Sequence, residues 1–148
     1  MRIGNSIDFH PFKEGRLFIL GGVTIPCDKG LEGVSDADPL LHSIAEAILG
    51  ALALGDLGTH FKEEDSKDLD SKLILLKVKN MMTKMSYKVV NVDSIILLEI
   101  LKHLPISKSS GMDNVAPFFT LPIDSWISST AKVGDIERSN KIWSASAV

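Results

Sequence analysis

The segment from residue 38 to residue 55 constrains the fold more than any other part of the chain. Asp38 is a favourable N-cap because its carboxylate can accept hydrogen bonds from the free amides of a first helical turn. Pro39 suits the first helical position, where no N–H is needed, and Gly55 is a natural stop. Apolar residues three and four apart predict one buried helix face: Leu41, Ile44, Ala45, Ile48, Leu49 and Leu52.

Strand patterns flank this helix. Residues 16–20 and 23–25 predict two strands around a bend at Gly21 and Gly22, and residues 27–34 predict a loop. Residues 87–98 are rich in β-branched side chains and predict one or two strands around Asp93. Residues 126–130 and 141–148 predict closing strands. Alternating strands and helices in one short chain predict a single α+β domain over 1–148, with a mixed sheet.

A second helix is predicted over about 71–85, after a polar, acidic loop at 56–70. Its apolar stripe is Leu73, Leu75, Leu76, Val78, Met81, Met82 and Met85.

Composition excludes several classes of protein. Among 148 residues, 45% are hydrophobic and the formal charge is −3, which fits a globular protein without general attraction to nucleic acid or anionic membranes. The single cysteine, Cys27, rules out an internal disulfide framework. No apolar run approaches the roughly 18 residues that span a bilayer. We therefore expect a cytoplasmic protein, or an organellar one if a transit peptide has been removed.

Asp8 and His10 are the first candidates for chemistry. In an extended segment, alternation places both on one face, and a carboxylate beside an imidazole suits zinc. An isolated Asp-x-His is more often an ordinary surface pair than a metal site. His42, in the first turns of the predicted helix, would complete three ligands with a fourth position open, but a packing role explains it as well.

Other residues suit phosphate or hydroxyl ligands. Ser35, ahead of the helix N-terminus, could bind phosphate with help from the helix dipole, although 35–38 also reads as a plain capping sequence. A turn at Asp56 and Gly58 could present a carboxylate to a hydroxylated ligand. Lys102 and Arg138 could bind phosphate. Each of these is an ordinary surface feature when taken singly.

In this order and spacing, the motifs resemble the 2-C-methyl-D-erythritol 2,4-cyclodiphosphate synthase family. The resemblance is dense over residues 1–61, fair to Pro105 and thin beyond. It rests on Asp8-Phe9-His10, Leu20-Gly21-Gly22-Val23, Ser35-Asp36-Ala37-Asp38, Leu41-His42, Gly55-Asp56-Leu57-Gly58 and Asn91-Val92-Asp93.

The family implies an α/β-sandwich-like version of the α+β fold, in which a mixed sheet carries about three helices on one face. It also implies a homotrimer whose sheets face the threefold axis. The implied reaction converts a small diphosphocytidyl substrate, 4-diphosphocytidyl-2-C-methyl-D-erythritol 2-phosphate, to the cyclic diphosphate and CMP in non-mevalonate isoprenoid biosynthesis. The family implies neither nucleic-acid nor membrane partners.

The resemblance also implies roles for individual residues. Asp8, His10 and His42 would bind Zn²⁺ or another divalent metal, and a second cation, Mg²⁺ or Mn²⁺, would bind with the phosphates. Together with Thr130, these three ligands would be the catalytic residues. Contacts with the substrate are implied for Ser35, Asp56, Gly58, Leu98, Lys102, Leu104, Ser129 and Arg138.

The chain departs from the family at two informative positions. Val34 stands where the family has histidine, and Ala131 stands where it has a glutamate that helps to hold the second cation. Ala131 should therefore weaken that site. These departures motivate an alternative, a catalytically impaired, zinc-binding trimer with a binding or regulatory role.

Overall fold

The computed structural model of the chain describes residues 1–62, 64, 66–96 and 146–147, the last two by their backbone alone. Three helices and seven strands lie in this part. The strands are β1 (Gly4–Asn5), β2 (Phe12–Glu14), β3 (Phe18–Leu20), β4 (Val23–Ile25), β5 (Lys29–Leu31), β6 (Val92–Asp93) and β7 (Ser146–Ala147). The helices are α1 (Pro39–Leu52), α2 (Leu57–His60) and α3 (Ser71–Lys84).

The predicted central helix is confirmed as α1. The Asp38 carboxylate accepts from the amides of Leu40 and Leu41, and Pro39 occupies the first helical position. The helix ends earlier than Gly55 because Ala53 adopts a left-handed conformation, with φ 56° and ψ 41°, and closes the last turn. All six residues of the predicted stripe are buried.

The two strands predicted around Gly21 and Gly22 form an antiparallel hairpin of β3 and β4, in which Leu20 pairs with Val23. Both glycines have positive φ, 61° and 75°, a conformation that costs glycine little. The hairpin therefore has the expected glycine-dependent bend.

The prediction of a loop over residues 27–34 is wrong at its centre. Residues 29–31 form β5, which pairs antiparallel with β2 so that Phe12 faces Leu31 and Glu14 faces Lys29. A Cβ on Gly30 would lie 2.1 Å from the Leu17 carbonyl oxygen. Gly30 is thus a strand residue at which a second backbone segment approaches too closely for a side chain. From the sequence, it was interpreted as a loop glycine.

Two further predictions need correction. The acidic loop contains the short helix α2, which is capped by Asp56. Helix α3 has the expected bounds, but Leu73, Leu76 and Met85 of its predicted stripe are exposed. Its buried apolar residues are Ile74, Leu75, Val78 and Met82.

Within the described part of the chain, helix α1 packs against both α3 and β1. Strand β7 lies between β1 and β6, pairing antiparallel with both. We expected a mixed sheet, but every strand pairing in the described part is antiparallel. These residues form small sheets and helices in an α+β arrangement. Within the same residues, no helix is both long and apolar enough to cross a membrane.

The described residues end before the predicted strand at 126–130. Most of the predicted strand at 141–148 also lies outside them, although residues 146–147 do form β7.

Candidate metal centre

The fold brings Asp8, His10 and His42 together. One ligand atom from each lies within 4.8 Å of the others. Asp8 Oδ2 is 2.9 Å from His10 Nε2 and 3.2 Å from His42 Nδ1. Asp8 and His10 lie in the segment between β1 and β2, and His42 is the fourth residue of α1. The sequence could propose this set of residues, and the packing of β1 on α1 supplies the proximity that spacing could not.

The donor set fits a divalent transition metal. One carboxylate and two imidazoles are ligands that zinc accepts, and three protein ligands leave a fourth position for substrate or water. The side chains of Asp8, His10 and His42 are 25%, 14% and 13% exposed, so the group is shielded yet reachable.

Each imidazole has a partner on the nitrogen that faces away from Asp8. His10 Nδ1 lies 2.6 Å from the carbonyl oxygen of Glu32, which can only accept, so Nδ1 carries a proton and Nε2 faces the centre. His42 Nε2 lies 3.1 Å from Ser35 Oγ and 2.8 Å from Ser71 Oγ. Such partners orient metal-binding histidines.

The carboxylate and the two imidazoles also shift each other's ionisation. Burial alone would raise the pKa of Asp8, but hydrogen bonds and charge from His10 and His42 outweigh it and hold that pKa well below its usual range. Burial alone would lower the pKa of His10, but the hydrogen bond and charge of Asp8 raise it above 6.5. The centre is therefore strongly polar despite its partial burial.

A pocket of about 260 Å³ opens beside the centre. It is large enough for part of a small polar ligand, and the three candidate metal ligands are among its lining residues. Its lining residues are Ser6, Ile7, Asp8, His10, His42, Glu46 and Leu57.

Glu46 and Ser71 are residues that the sequence analysis missed. Glu46 lies four residues after His42, so the two share a helix face, and that spacing was the available signal. Its Oε2 accepts from the Leu57 amide at 2.8 Å. Ser71 is distant in sequence, and no local pattern distinguishes it.

The turn predicted to bind a hydroxylated ligand borders the pocket through Leu57, which lies between Asp56 and Gly58. Asp56 Oδ1 accepts from both the amide and the hydroxyl of Thr59, at 2.7 and 2.6 Å. These bonds lower the pKa of Asp56, so the carboxylate is ionised.

Ser35 also lies near the candidate ligands. It is buried, and its hydroxyl accepts from the Ala37 amide at 3.1 Å while contacting His42. The other residues proposed from the sequence lie outside the described part of the chain: Leu98, Lys102, Leu104, Ser129, Thr130, Ala131 and Arg138.

Comparisons with known proteins agree with one another. The family model described as the YgbB family matches residues 1–146. A 2-C-methyl-D-erythritol 2,4-cyclodiphosphate synthase of Chlorobium luteolum is 55% identical over 107 residues, which cover 71% of this chain and 68% of that protein.

Solved structures are also similar to this chain. A structure of a 2C-methyl-D-erythritol-2,4-cyclodiphosphate synthase has a TM-score of 0.85 at 25% identity, with 99% of both chains covered. A CDP complex of IspF from Plasmodium falciparum has a TM-score of 0.76 at 26% identity and covers 99% of this chain and 92% of that one.

Proposed function

The chain belongs to the YgbB family, and we propose that it performs the reaction of its relatives at the centre formed by Asp8, His10 and His42. It is an enzyme with the activity for which those relatives are named, in isoprenoid biosynthesis. The observation that carries the proposed location is the convergence of the three side chains beside the pocket. The comparisons give no support to the alternative of a catalytically impaired protein.

The substrate is 4-diphosphocytidyl-2-C-methyl-D-erythritol 2-phosphate, and the reaction is internal to it. An oxygen of the 2-phosphate attacks the phosphorus joined to the erythritol. A new P–O bond closes the ring, the bond from that phosphorus to the bridging oxygen breaks, and CMP leaves with that oxygen. No protein nucleophile is needed, so the protein contributes by positioning the phosphates and neutralising their charge.

Zinc is the metal that we propose for the centre. His10 Nε2, His42 Nδ1 and Asp8 Oδ2 face one another and would hold it. Bound there, the ion would polarise a phosphate oxygen of the substrate as a Lewis acid. The partner on the far nitrogen of each imidazole keeps the ring in place, and the partial burial of the three side chains limits competing water.

Substrate contacts are proposed next to this centre. Asp56 and Gly58 would bind the hydroxyl groups of the erythritol, because Leu57 between them lines the pocket and the Asp56 carboxylate is ionised. A phosphate contact by Ser35, which is buried and contacts His42, is proposed from the family resemblance. For Leu98, Lys102, Leu104, Ser129, Thr130 and Arg138, and for a second cation, Mg²⁺ or Mn²⁺, the proposal rests on the family resemblance.

We also propose a homotrimer. Ile3, Ile7 and Leu17 are 64%, 60% and 66% exposed, and large apolar side chains in such positions suit a subunit interface. Multi-angle light scattering should give a mass of three times 16.1 kDa. A monomer at micromolar concentration would contradict this part of the proposal and leave the metal centre untouched.

The test of the reaction is CMP release from the diphosphocytidyl substrate with zinc and magnesium, compared with a chelated sample. The expected result is metal-dependent release of CMP together with the cyclic product. His42→Ala should abolish both zinc binding and turnover. His60→Ala is the matched control, because His60 lies outside the triad and bonds the Leu54 carbonyl at 2.7 Å. Turnover by a zinc-free His42→Ala variant would refute the assigned centre.

A further inference from the structure

We propose that Ser71 and Asp36 are positioning residues that hold His42 with a proton on Nε2, so that its Nδ1 is directed at the metal. This inference rests on the proposed metal centre. It concerns two residues on the side of the ring opposite Asp8, neither of which lines the pocket. Asp36 belongs to the Ser35-Asp36-Ala37-Asp38 motif, whereas no sequence motif identifies Ser71.

The direction of the hydrogen bonds follows from the chemistry of the three groups. Ser71 Oγ contacts Asp36 Oδ1 and lies 2.8 Å from His42 Nε2. An ionised carboxylate can only accept, so the single hydroxyl proton of Ser71 goes to Asp36. The Ser71 oxygen must then accept from His42, which requires a proton on Nε2.

Asp36 fixes the position of that hydroxyl. Its second oxygen, Oδ2, accepts from the Ser71 backbone amide at 3.0 Å, so one carboxylate binds both the amide and the hydroxyl of the same residue. Ser71 is fully buried at the first position of α3. The hydroxyl therefore has little freedom to turn toward another partner.

Ser35 is the competing partner of the same nitrogen. Its hydroxyl lies 3.1 Å from His42 Nε2, and it accepts from the Ala37 amide. If Ser35 donated to an unprotonated Nε2, the Ser71 hydroxyl would face two acceptors, Asp36 Oδ1 and His42 Nε2, with only one proton to donate. Ser71 Oγ is closer to His42 Nε2 than Ser35 Oγ is, and Ser71 is held by two hydrogen bonds to Asp36. Both facts favour Ser71 as the residue that sets the protonation of His42.

The arrangement has a functional consequence. A ligand histidine whose remote N–H is bound by a carboxylate, here through a hydroxyl, is a better-oriented and more basic ligand, and losing such a partner typically lowers metal affinity about 10- to 100-fold. The hydrogen-bond relay from Asp36 through Ser71 to His42 also connects α3 to the loop before α1. The affinity of His42 for the metal would therefore depend on a helix that contributes no ligand.

The test combines two measurements on the full chain. Zinc affinity is measured by competition with a chelator, and ¹⁵N NMR of the His42 ring reports which nitrogen is protonated. The wild type should show a slowly exchanging Nε2 proton with and without zinc. Ser71→Ala should speed its exchange and weaken zinc binding about 10- to 100-fold, while the backbone bond to Asp36 remains.

Asp70→Ala is the matched control. Asp70 caps the same helix by accepting from the Lys72 amide at 2.8 Å. Its removal should lower the denaturation midpoint but leave zinc affinity and the Nε2 proton unchanged. If Ser71→Ala does not fold, Asp36→Asn serves instead, since a neutral amide polarises the hydroxyl less than a carboxylate.

Two results would overturn the relay: an unprotonated Nε2 in the wild type, or unchanged exchange and affinity in Ser71→Ala with a change in Ser35→Ala. Failure of the wild type to bind zinc would instead overturn the proposed metal centre. The Nε2 proton of the metal-free chain would still decide the relay, so the two failures are distinguishable.

Discussion

The backbone carbonyl of Glu32, and not its side chain, holds His10: the carbonyl oxygen accepts from Nδ1 at 2.6 Å, while the carboxylate pairs with Lys13. Orientation of this imidazole thus depends on the path of the chain after β5. Side-chain chemistry at position 32 is free to vary, but backbone geometry there is not.

Gly33→Ala should therefore weaken zinc binding, whereas Glu32→Ala should not. A Cβ on Gly33 would lie 3.2 Å from His10 Cε1 and 2.8 Å from the Ala37 Cβ. Forcing these atoms apart typically costs about 1–3 kcal/mol and displaces the ring from its carbonyl partner. Chelator competition measures the affinities. Equal zinc affinity in the two variants would show that the ring tolerates displacement.

Metal-free protein should lose stability as the pH rises above 6.5. The pKa of His10 is raised in the folded chain because Asp8 binds its protonated form. The protonated pair therefore stabilises the folded chain fully below the unfolded pKa of 6.5, and this stabilisation is lost as the pH rises past the higher folded pKa. Urea denaturation with chelator, across this range, measures the free energy of unfolding. In Asp8→Ala the free energy of unfolding should fall less steeply with pH. An unchanged pH dependence would mean that other groups cause it.

Gly4 and Gly50 form a matched pair for stability. A Cβ on Gly4 would lie 1.9 Å from the Ala47 carbonyl oxygen in α1, so Gly4→Ala must move β1 off the helix and should cost at least about 1–3 kcal/mol. Gly50 has open space around it, and Gly50→Ala should stabilise the helix by about 0.5–1 kcal/mol. Thermal and urea denaturation of both variants test the contrast. Similar small effects would mean that β1 does not rest on α1.

Glu46→Ala should raise KM more than it lowers kcat. Glu46 fixes the Leu57 amide, and the turn of Asp56 and Gly58 is the proposed contact for the erythritol. Loss of this hydrogen bond frees the turn and leaves the three proposed metal ligands unchanged. Glu46→Gln keeps an accepting oxygen and should largely restore KM. Steady-state kinetics of CMP release give both constants, and a pure kcat defect would place Glu46 in the chemistry itself.

The sequence predicts best where the determinants are local. The N-cap Asp38 and the stripe from Leu41 to Leu52 define α1 because capping and periodicity are properties of neighbouring residues. Strand β5 was missed because Gly30 signals a turn locally, and only pairing with β2 makes it a strand. On α3, apolar periodicity identified the helix, but it could not show that Leu73 and Leu76 would stay uncovered in the described part.

The candidate site divides in the same way. Residue types and motif order identify Asp8, His10 and His42, since few side chains suit zinc. Ser71 could not be found, because serine suits many environments and its contact with His42 spans 29 positions of sequence. Only the docking of α3 against α1 reveals it.

The chain order of the centre has a consequence for biosynthesis. The three proposed ligands are synthesised first, and Ser71, the proposed positioning residue of His42, follows 29 positions after it. On the ribosome, a nascent chain would therefore contain all three side chains before α3 is available to orient His42. If the proposed relay holds, full metal affinity requires α3 to have emerged and docked, and a chain interrupted before Ser71 would bind zinc more weakly than the complete sequence.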